Sequence, residues 1–234
     1  LLWRAGDPVR TLVAYAHTNV KLIGGYGGFS GPMDGATHES IADLSVIRSL
    51  PGIVVITASD HEQVRTILPV IAEYKGPVYL RLSRAEVTDF HNKDQQFKLG
   101  KGILLKEGKD LALIGTGTIM SRVLKAASLL NSQGIKTAVV EIPTLKPMDV
   151  QLIESMARGT GALVTCEENT IIGGLGSAVA ESLSETFPVP IIRVGINDCF
   201  GETGPYEKLL DKYGMSVEDI VNAGVKAVNL KGRK

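Results

Sequence analysis

The chain has 234 residues, of which 44% are hydrophobic and 21% charged, and its 25 acidic residues balance its 25 basic ones. This composition is typical of a globular protein of one or two domains, and the charges form no block that would suit a nucleic acid. Because every apolar run is shorter than the roughly 18 residues of a membrane span and no signal peptide is visible, we expect a cytoplasmic protein with no nucleic-acid or membrane partner.

The first part of the sequence predicts helices that alternate with strands. In chain order the pattern predicts a helix, a strand, a helix, a strand, a helix and a strand, at residues 8–18, 20–23, 41–50, 53–57, 60–71 and 78–84. Ser40 and Asp43 resemble a capping box at the start of the second of these helices. The polar residues 86–96, which follow the last strand, indicate a domain boundary near residue 92.

The second part of the sequence repeats this alternation. Strands are predicted at residues 111–114, 137–142, 162–165 and 191–194, and helices at residues 120–130, 175–183 and 217–228. Strands that alternate with helices form mostly parallel sheets that are covered by helices on both faces. We therefore expect two three-layer α/β domains, at residues 1–92 and 93–234.

A glycine-rich stretch at residues 24–40, GGYGGFSGPMDGATHES, follows the strand at 20–23. Parallel sheets bind small molecules at the carboxyl ends of their strands, and this stretch carries two ionisable residues, Asp34 and His38. Glycine-rich stretches more often mark plain turns, and a lone Asp or His beside one is usually a capping group. The pattern alone leaves a ligand site and a structural turn as equal alternatives.

Two pairs of charged residues also follow predicted strands. Arg81 and Arg84 close the strand at 78–84, where they could bind a phosphate or carboxylate or could form a solvated strand end. Glu167 and Glu168 could act as an acid and a base. Because a helix N-terminus nearby stabilises carboxylates, a structural role is favoured for this second pair.

Other kinds of site are disfavoured by their patterns. The sequence Gly115-Thr116-Gly117 lacks the third glycine of a dinucleotide motif, and no nucleophile elbow surrounds Ser30. No histidines are spaced as metal ligands, so we expect no metal site on this chain. Cys166 ends an apolar run and is expected to be a buried, reduced thiol.

Several short motifs together resemble the transketolase family. Those of the first part resemble its pyrimidine-binding domain, at residues 34–38 (DGATH), 48–51 (RSLP) and 82–84 (LSR). Those of the second part resemble its C-terminal domain, at residues 167–169 (EEN), 173–176 (GGLG) and 200–202 (FGE). The resemblance covers essentially the whole chain. It is specific for the thiamine-diphosphate superfamily, which also contains deoxyxylulose-phosphate synthase and the beta subunits of 2-oxo acid dehydrogenases, and the first and third motifs favour transketolase.

The resemblance implies a transferase of carbohydrate metabolism that moves a two-carbon ketol unit between sugar phosphates, as in the pentose phosphate pathway. By position, His38 would be the catalytic residue, which hydrogen-bonds the donor near its reacting carbonyl and assists proton movement. Asp34 would contact a substrate hydroxyl, and Arg84 would bind the terminal phosphate. Tyr26 stands where transketolases usually carry a histidine that contacts the donor, and Glu39 stands where glutamine is common. These two differences imply an altered substrate.

The resemblance also implies the cofactor thiamine diphosphate with Mg2+ or Ca2+. The family's glutamate that protonates the aminopyrimidine, and the aromatic residues that stack on it, correspond to positions before Leu1, and the metal-binding GDG motif is absent. In the family that motif belongs to a separate domain or subunit. We therefore expect the cofactor-binding residues upstream of Leu1 and on a partner, which is an N-terminal diphosphate-binding domain or subunit, and we expect the first domain to be incomplete at its N-terminus.

These points predict a C-terminal section or subunit of a transketolase, which belongs to a homo-oligomer such as a dimer and is inactive by itself. The sequence opens without an initiating methionine, as expected for a section of a longer product. Two alternatives stay open. One is a non-catalytic assembly or regulatory module of the same fold, and the other is a beta-type subunit of a deoxyxylulose-phosphate synthase or 2-oxo acid dehydrogenase.

Overall fold

The structure is a computed structural model that describes residues 2–231, apart from the side chain of residue 3. It contains two mostly parallel β-sheets that are covered by helices, which confirms the predicted α/β fold class. None of the helices within residues 2–231 is both long and apolar enough to cross a membrane.

The strands fall into two sheets. In chain order, β1 to β9 are Lys21–Gly24, Val54–Thr57, Val78–Arg81, Ile103–Lys106, Leu111–Thr116, Thr137–Glu141, Thr144–Lys146, Leu163–Thr170 and Ile191–Ile196. The first sheet has the order β1-β3-β2-β7, in which β1, β3 and β2 are parallel and β7 is antiparallel to β2. The second sheet has the order β4-β6-β5-β8-β9, in which β4 is antiparallel to β6 and the other pairs are parallel.

Helices connect the strands and cover the sheets. In chain order, α1 to α8 are Leu2–Pro8, Asp43–Arg48, His61–Glu73, Met120–Ser132, Val150–Thr160, Leu175–Ser184, Tyr206–Lys212 and Val217–Lys231. A π-helical segment, Val9–Tyr15, continues α1, and a 3-10 turn, Gly117–Ile119, precedes α4.

Of the three hydrophobic clusters within residues 2–231, one is shared by the two sheets. Strands β2, β3 and β5 are buried along their whole length, as expected for strands covered on both faces. Helix α3 packs on the first sheet through Ile67 and Ile71, and α4 and α8 pack on one face of the second sheet. Between the sheets, Leu44 and Ile47 of α2 belong to the same cluster as apolar residues of β5, α5 and α6. This common cluster fixes the two sheets against each other.

The first helix differs from its prediction. The sequence predicts a helix over 8–18, whereas the observed helix begins at Leu2 and changes from α to π type at Pro8. Pro8 has no N–H to donate to the preceding turn, so the change in hydrogen-bond pattern falls at this residue.

The predicted capping box of Ser40 and Asp43 is wrong. Helix α2 begins at Asp43, and its N-cap residue makes no side-chain cap. The Asp43 carboxylate is buried instead, where it accepts a hydrogen bond from the Tyr79 hydroxyl at 2.8 Å and lies 3.0 Å from Arg81 Nε. The Asp43 side chain thus belongs to a buried ion pair with Arg81 and does not cap the helix.

A buried polar network holds the segment between β3 and β4. In this segment, His91 places its Nδ1 atom 2.8 Å from Asp60 and its Nε2 atom 2.7 Å from Glu141. Asp60 precedes α3 and Glu141 ends β6, so one imidazole joins the parts of the chain that carry the two sheets. Gln63 Nε2 donates to Glu141 at 2.9 Å, and the Ser59 hydroxyl donates to the same carboxylate.

Candidate active site

The glycine-rich stretch 24–40, called the glycine loop below, closes on itself at the carboxyl end of β1. Its ends are joined by hydrogen bonds from Gly28 N–H to the Ser40 carbonyl at 2.8 Å and from Ser40 N–H to the Tyr26 carbonyl at 3.1 Å. Gly27 N–H donates to the Leu82 carbonyl at 3.0 Å. Since β1 and β3 are neighbouring parallel strands, these bonds place the loop beside residues 82–84, at the edge where such sheets bind ligands.

Four exposed side chains, those of Tyr26, Asp34, His38 and Arg84, gather on the outer side of the glycine loop. Arg84 Nη1 donates to the Tyr26 hydroxyl at 2.9 Å and lies 3.4 Å from Asp34 Oδ2. The guanidinium carbon lies 5.1 Å from the centroid of the Tyr26 ring, and the His38 ring centroid lies 6.4 Å from it. The structure thus brings together the four residues that the sequence analysis predicts as a site.

Tyr26 stands at the centre of this cluster in an unusual backbone conformation. Its φ is +61°, a left-handed value that costs a non-glycine residue about 1 kcal/mol or more. The ring packs closely on Gly31, where a Cβ would come within 2.6 Å of the ring atom Cδ1. Such strain persists only where the surrounding contacts fix a residue, and it is common at ligand sites.

The His38 imidazole projects from a turn of the loop. Its backbone N–H donates to the Gly35 carbonyl at 2.9 Å, and its Nδ1 atom lies 3.1 Å from the Thr37 hydroxyl. With Nδ1 beside a hydroxyl of the protein, Nε2 is the ring atom suited to exchange a proton with a bound molecule.

Arg81 does not belong to this exposed cluster. Its side chain is buried, and Nη2 donates to the Ser40 carbonyl at 2.6 Å and to the Glu168 carbonyl at 3.0 Å. Burial opposes the charge of Arg81, but the nearby Asp43, Tyr79 and Glu168 side chains together outweigh burial and raise its pKa. Of the two arginines considered as anion-binding residues, Arg84 is the one that faces solvent.

Glu167 and Glu168 have separate partners. Glu167 accepts hydrogen bonds from the N–H groups of Leu175 and Gly176 at 2.7 and 2.8 Å, which confirms the structural role expected at a helix start. Glu168 instead accepts from Phe29 N–H in the glycine loop at 2.7 Å, a contact that the sequence did not indicate. Burial raises the pKa of both carboxyl groups, that of Glu167 to about 7.

Glu39 follows His38 in the sequence but points into the protein. Its side chain is 7% exposed, and neither carboxyl oxygen has a hydrogen-bond partner among the residues described. A Cβ on Gly201 would touch this carboxyl group, so the residues after β9 pack closely against it. Burial, followed by the charges of Glu168 and Glu202, raises the pKa of Glu39 to about 7.

The part of the chain that the structure describes holds no group of three or more His, Cys, Asp or Glu side chains suited to a metal ion. Cys166 lies fully buried in the core, as the sequence predicts, and burial raises the pKa of its thiol.

Phe29 is a residue of the glycine loop that the sequence analysis does not single out. Its ring is fully buried and packs at 4.7 Å from the ring of Tyr213, on the part of the chain that carries the second sheet. A large apolar side chain among small loop residues is a signal that a loop packs against a core, because exposure would leave that surface in water.

Comparison with known proteins identifies the family. The family model described as transketolase, pyrimidine binding domain, matches residues 1–89, and the one described as transketolase, C-terminal domain, matches residues 100–220. The 6-deoxy-6-sulfo-D-fructose transketolase subunit SqwH of Clostridium sp. (strain MSTE9) is 42% identical over 220 residues, which are 94% of this chain and 68% of that protein. One of the subunits of the apulose-4-phosphate transketolase of Phocaeicola vulgatus is 36% identical over 226 residues, which are 96% of this chain and 72% of that protein.

A solved structure of a split-gene transketolase, an inactive beta4 tetramer, has the same fold. The match covers 97% of this chain and 73% of that chain, with a TM-score of 0.92 and 43% sequence identity. The sequence matches and the structural match agree with the motif resemblance along nearly the whole chain. The chain therefore belongs to the transketolase family and corresponds to its pyrimidine-binding and C-terminal domains.

Proposed function

We propose that this chain is the section of a thiamine-diphosphate-dependent transketolase that recognises the sugar substrates and contributes His38 to catalysis. The observation that carries the proposal is the exposed cluster of Tyr26, Asp34, His38 and Arg84 at the carboxyl ends of β1 and β3. Membership of the transketolase family supports it, because that family uses this edge of the pyrimidine-binding domain for its substrates.

In this proposal Arg84 binds an anionic group of the sugar. The two transketolase subunits compared above are named for 6-deoxy-6-sulfo-D-fructose and apulose 4-phosphate, which carry a sulfonate and a phosphate. A planar guanidinium matches the oxygens of either group through paired hydrogen bonds. The substrate class proposed for this chain is therefore a ketose that bears a phosphate or a sulfonate.

The remaining residues of the cluster bind the polar part of the same sugar. Asp34 accepts a hydrogen bond from a sugar hydroxyl, and the Tyr26 hydroxyl can donate or accept one. His38 hydrogen-bonds the donor near its reacting carbonyl and moves a proton at that oxygen. The separation of these roles follows from the side-chain chemistry, since one group binds an anion and the others bind hydroxyl groups.

Thiamine diphosphate, when bound, supplies the electron sink that the cleavage of the carbon–carbon bond requires. The described residues suit the sugar but not a metal-bound diphosphate. They offer no cluster of metal ligands, and the carboxylate of Asp34 already lies beside the Arg84 guanidinium and so is not available to a metal ion. Mg2+ and the diphosphate are therefore assigned to an N-terminal diphosphate-binding domain or partner subunit. The glycine loop and residues 82–84 form one wall of a site that this partner completes.

The proposal includes the assembly of the chain. The split-gene transketolase with the same fold is described as an inactive beta4 tetramer, so we expect this chain to associate with copies of itself and to be inactive until the partner joins. The division into residues 1–92 and 93–234 is also part of the proposal. It is supported by the two family models, which match residues 1–89 and 100–220.

A transfer assay tests the role of His38. The assay uses the complex of this chain with a candidate diphosphate-binding subunit, in the presence of thiamine diphosphate and Mg2+. His38→Asn should lower turnover by roughly 100-fold to 10,000-fold, the range for loss of a general acid–base group. His17→Asn is the matched control, because His17 is exposed and precedes β1, at the other end of that strand. Equal rates in the two variants would contradict the catalytic role of His38.

A second candidate function is a non-catalytic assembly module of the same fold, which is favoured by the inactive state of the split-gene neighbour. It predicts that the complex with the partner shows no transfer and that His38→Asn changes nothing. A product assay distinguishes transketolase from the remaining alternative, a beta-type subunit of a deoxyxylulose-phosphate synthase or 2-oxo acid dehydrogenase. Such an enzyme would release carbon dioxide from a 2-oxo acid, whereas ketol transfer releases an aldose.

A further inference from the structure

The glycine loop is fastened at its centre to the part of the chain that carries the second sheet. The Phe29 ring leaves the loop and enters the core cluster formed by α4, α7, α8 and the second sheet. Its exposed fraction is 0%, and its immediate neighbours include the ring of Tyr213. The loop that carries the candidate site residues is therefore packed on a second scaffold as well as on its own sheet.

The Glu168 carboxylate on β8 forms a hydrogen bond with the backbone of the loop at Phe29. Its Oε1 atom accepts the hydrogen bond from Phe29 N–H at 2.7 Å. Its Oε2 atom accepts from the Tyr206 hydroxyl at 2.8 Å and from the Thr118 hydroxyl at 2.9 Å. Both oxygens of a buried carboxylate are thus satisfied, and one of their three donors belongs to the glycine loop.

The backbone beside Phe29 approaches this carboxylate closely. Gly28 has a φ of +64°, and a Cβ at this position would collide with the Glu168 carboxyl carbon. Only glycine satisfies both the left-handed backbone and the close approach. The neighbouring Arg81 strengthens the same junction, because its Nη2 atom bridges the carbonyl groups of Ser40 in the loop and Glu168 in β8.

We infer that Glu168 is a positioning residue for the candidate active site. It holds the glycine loop against the second-sheet part of the chain and thereby fixes Tyr26, Asp34 and His38, which lie on the outer side of the same loop. It does not reach the substrate itself, since its side chain is 3% exposed. The inference rests on the proposed function for its catalytic consequence, whereas its structural consequence can be measured on this chain alone.

The neighbouring Glu167 provides a matched control. Both glutamates lie on β8, both are buried, and both accept backbone N–H bonds of nearly equal length. Glu167 receives its bonds from Leu175 and Gly176 at the start of α6 and contacts no residue of the glycine loop through hydrogen bonds among those described. Replacing either glutamate by leucine removes a buried acceptor, but only one of the two replacements frees the loop.

The first measurement is hydrogen–deuterium exchange of the purified chain. In Glu168→Leu the amides of the loop should exchange roughly 10-fold to 100-fold faster, as expected when a buried charge-assisted hydrogen bond is lost. In Glu167→Leu the faster exchange should fall at the start of α6 and spare the loop. The reporting loop amides are those with hydrogen-bond acceptors in the structure, at Gly27, Gly28, Phe29, Ser30, Asp34, His38 and Ser40.

A conservative variant should restore the position of the loop. In Glu168→Gln the amide oxygen can accept from Phe29 N–H, and the amide nitrogen can donate to the hydroxyl oxygens of Tyr206 and Thr118 once these rotate. Exchange of the loop amides in Glu168→Gln should therefore stay within about threefold of the unaltered chain, well short of the change expected for Glu168→Leu. Fast exchange in both variants would show that Glu168 holds the loop through its charge, whereas loop exchange in Glu168→Leu as slow as in the unaltered chain would overturn the inference.

A second route covers the case in which Glu168→Leu does not fold. Gly28→Ala leaves every buried polar group in place but pushes the loop away from the Glu168 carboxylate. Gly134→Ala is its control, because Gly134 also has a left-handed φ, +88°, and a methyl group added there would meet no atom of the described residues within 4 Å. Faster loop exchange in Gly28→Ala and not in Gly134→Ala is the expected result, and equal behaviour of the two would overturn the inference.

The catalytic consequence is measured on the complex with the diphosphate-binding subunit. Glu168→Leu should lower kcat about 10-fold or more, because His38 lies on the freed loop, and should also raise KM for fructose 6-phosphate, because Tyr26 and Asp34 lie on the same loop and contact Arg84. Glu168→Gln should restore kcat. Unchanged kcat in an active complex whose loop exchanges faster would overturn the positioning role. No transfer by the unaltered complex would instead contradict the proposed function, and the exchange data would still decide whether Glu168 anchors the loop.

Discussion

Arg84 is oriented by three contacts with two neighbours, Tyr26 and Asp34, before any substrate arrives. Its guanidinium donates to the Tyr26 hydroxyl, lies over the Tyr26 ring and approaches Asp34. A side chain that is already ordered loses less conformational entropy on binding, so an anion can be bound at lower cost. The contact with Asp34 is solvent-exposed and is worth only about 0 to 1 kcal/mol, so an incoming phosphate or sulfonate can replace it.

Replacing Arg84 by glutamine should therefore discriminate between charged and uncharged sugars. We expect Arg84→Gln to weaken transition-state binding of an anionic ketose by about 1.5 to 3 kcal/mol, the range for a hydrogen bond to a charged group, and to spare a neutral one. The measurement is kcat/KM for fructose 6-phosphate, 6-deoxy-6-sulfofructose and fructose in the assembled complex. Arg65→Gln, on the exposed side of α3, is the control and should change none of these values. Equal losses for all three sugars would show that Arg84 acts through the loop and not on the anion.

Glu39 should destabilise the folded chain at neutral pH, because its buried carboxyl group has no hydrogen-bond partner within residues 2–231. Its folded-state pKa of about 7 lies above the ordinary value, so the protonated form favours folding. That contribution is fully present below about pH 4.5 and is lost as the pH rises through 7. The neutral variant Glu39→Gln should therefore gain about 1 to 3 kcal/mol in free energy of unfolding over wild type between pH 4.5 and pH 8.

Urea denaturation at a series of pH values measures this gain. Glu107→Gln is the control, since Glu107 is exposed and its replacement should leave the pH profile unchanged. A profile of Glu39→Gln that runs parallel to wild type would contradict the prediction, because the carboxyl group would then titrate alike in the folded and unfolded chain.

The exposed residues of the cluster could be predicted from the sequence, whereas the burial of the neighbouring Arg81 and Glu39 could not. Asp34 and His38 stand out because they are ionisable groups in a glycine-rich stretch after a strand. Arg81 and Arg84 look alike in the sequence, and only the burial of Arg81 against Asp43, which lies in another element, separates them. The burial of Glu39 depends in the same way on residues after β9, which no local pattern connects to the glycine loop.

The segment between β3 and β4 shows how one side chain can hold an element that lacks regular structure. Burial lowers the pKa of His91, but hydrogen bonds to Asp60 and Glu141 outweigh burial and raise it to about 9. Burial also opposes the ionisation of Asp60, but hydrogen bonds from His91 and neighbouring backbone groups hold its pKa below its usual value. The segment is thus fastened by an imidazolium between two carboxyl groups of different elements.

The stability from this network should be lost in alkaline solution. Because the folded-state pKa of His91 is raised, its contribution is fully present below about pH 6.5 and is lost as the pH rises through about 9. We expect the free energy of unfolding to fall by roughly 1 to 3 kcal/mol over this interval and His91→Gln to remove most of the fall. The lowered pKa of Asp60 acts only in acid, where its contribution is lost as the pH falls, and does not interfere.

Urea denaturation between pH 6 and pH 9.5 tests this expectation. His61→Gln is the matched control, because His61 also lies beside an aspartate, Asp89, but is exposed. It should keep the alkaline fall of the wild type. A fall of the same size in His91→Gln would contradict the assignment of the fall to His91.

The elements that could be predicted are those whose burial is indicated by a run of apolar residues in the sequence. The strands β2, β3, β5, β6, β8 and β9 are apolar runs, and each lies within a few residues of its predicted place. The strands β4 and β7 are not predicted, because none of the residues of β4 is fully buried and β7 has only three residues. These strands pair with neighbours that are distant in the sequence, so a local sequence pattern does not predict the pairing.

At the scale of the whole molecule, three junctions add to the His91 network, the common hydrophobic cluster and the Glu168 contacts that join the parts carrying the two sheets. Strand β7 follows β6 of the second sheet but pairs with β2 of the first. The Phe29 ring passes in the other direction, from the glycine loop into the core of the second-sheet part. Arg48 of α2 donates to the Gly173 carbonyl and forms a two-bond ion pair with Glu181 of α6. Each junction would be lost if either part unfolded alone.

The whole chain should therefore unfold in one cooperative transition. Phe29→Ala should lower the free energy of unfolding by about 3 to 5 kcal/mol, because it leaves a cavity in the core cluster where the glycine loop meets the second-sheet part, and it should shift both sheets together. The stability of each sheet is measured separately by hydrogen exchange as a function of urea concentration. The amides of β2 and β3 report on the first sheet, and those of β5 and β8 report on the second. Phe200→Ala is the control, since Phe200 is 81% exposed and its loss should change stability by no more than about 0.5 kcal/mol. If β2 and β3 opened at a different urea concentration from β5 and β8, the junctions would be too weak to couple the sheets, and the glycine loop would have to be held by the first sheet alone.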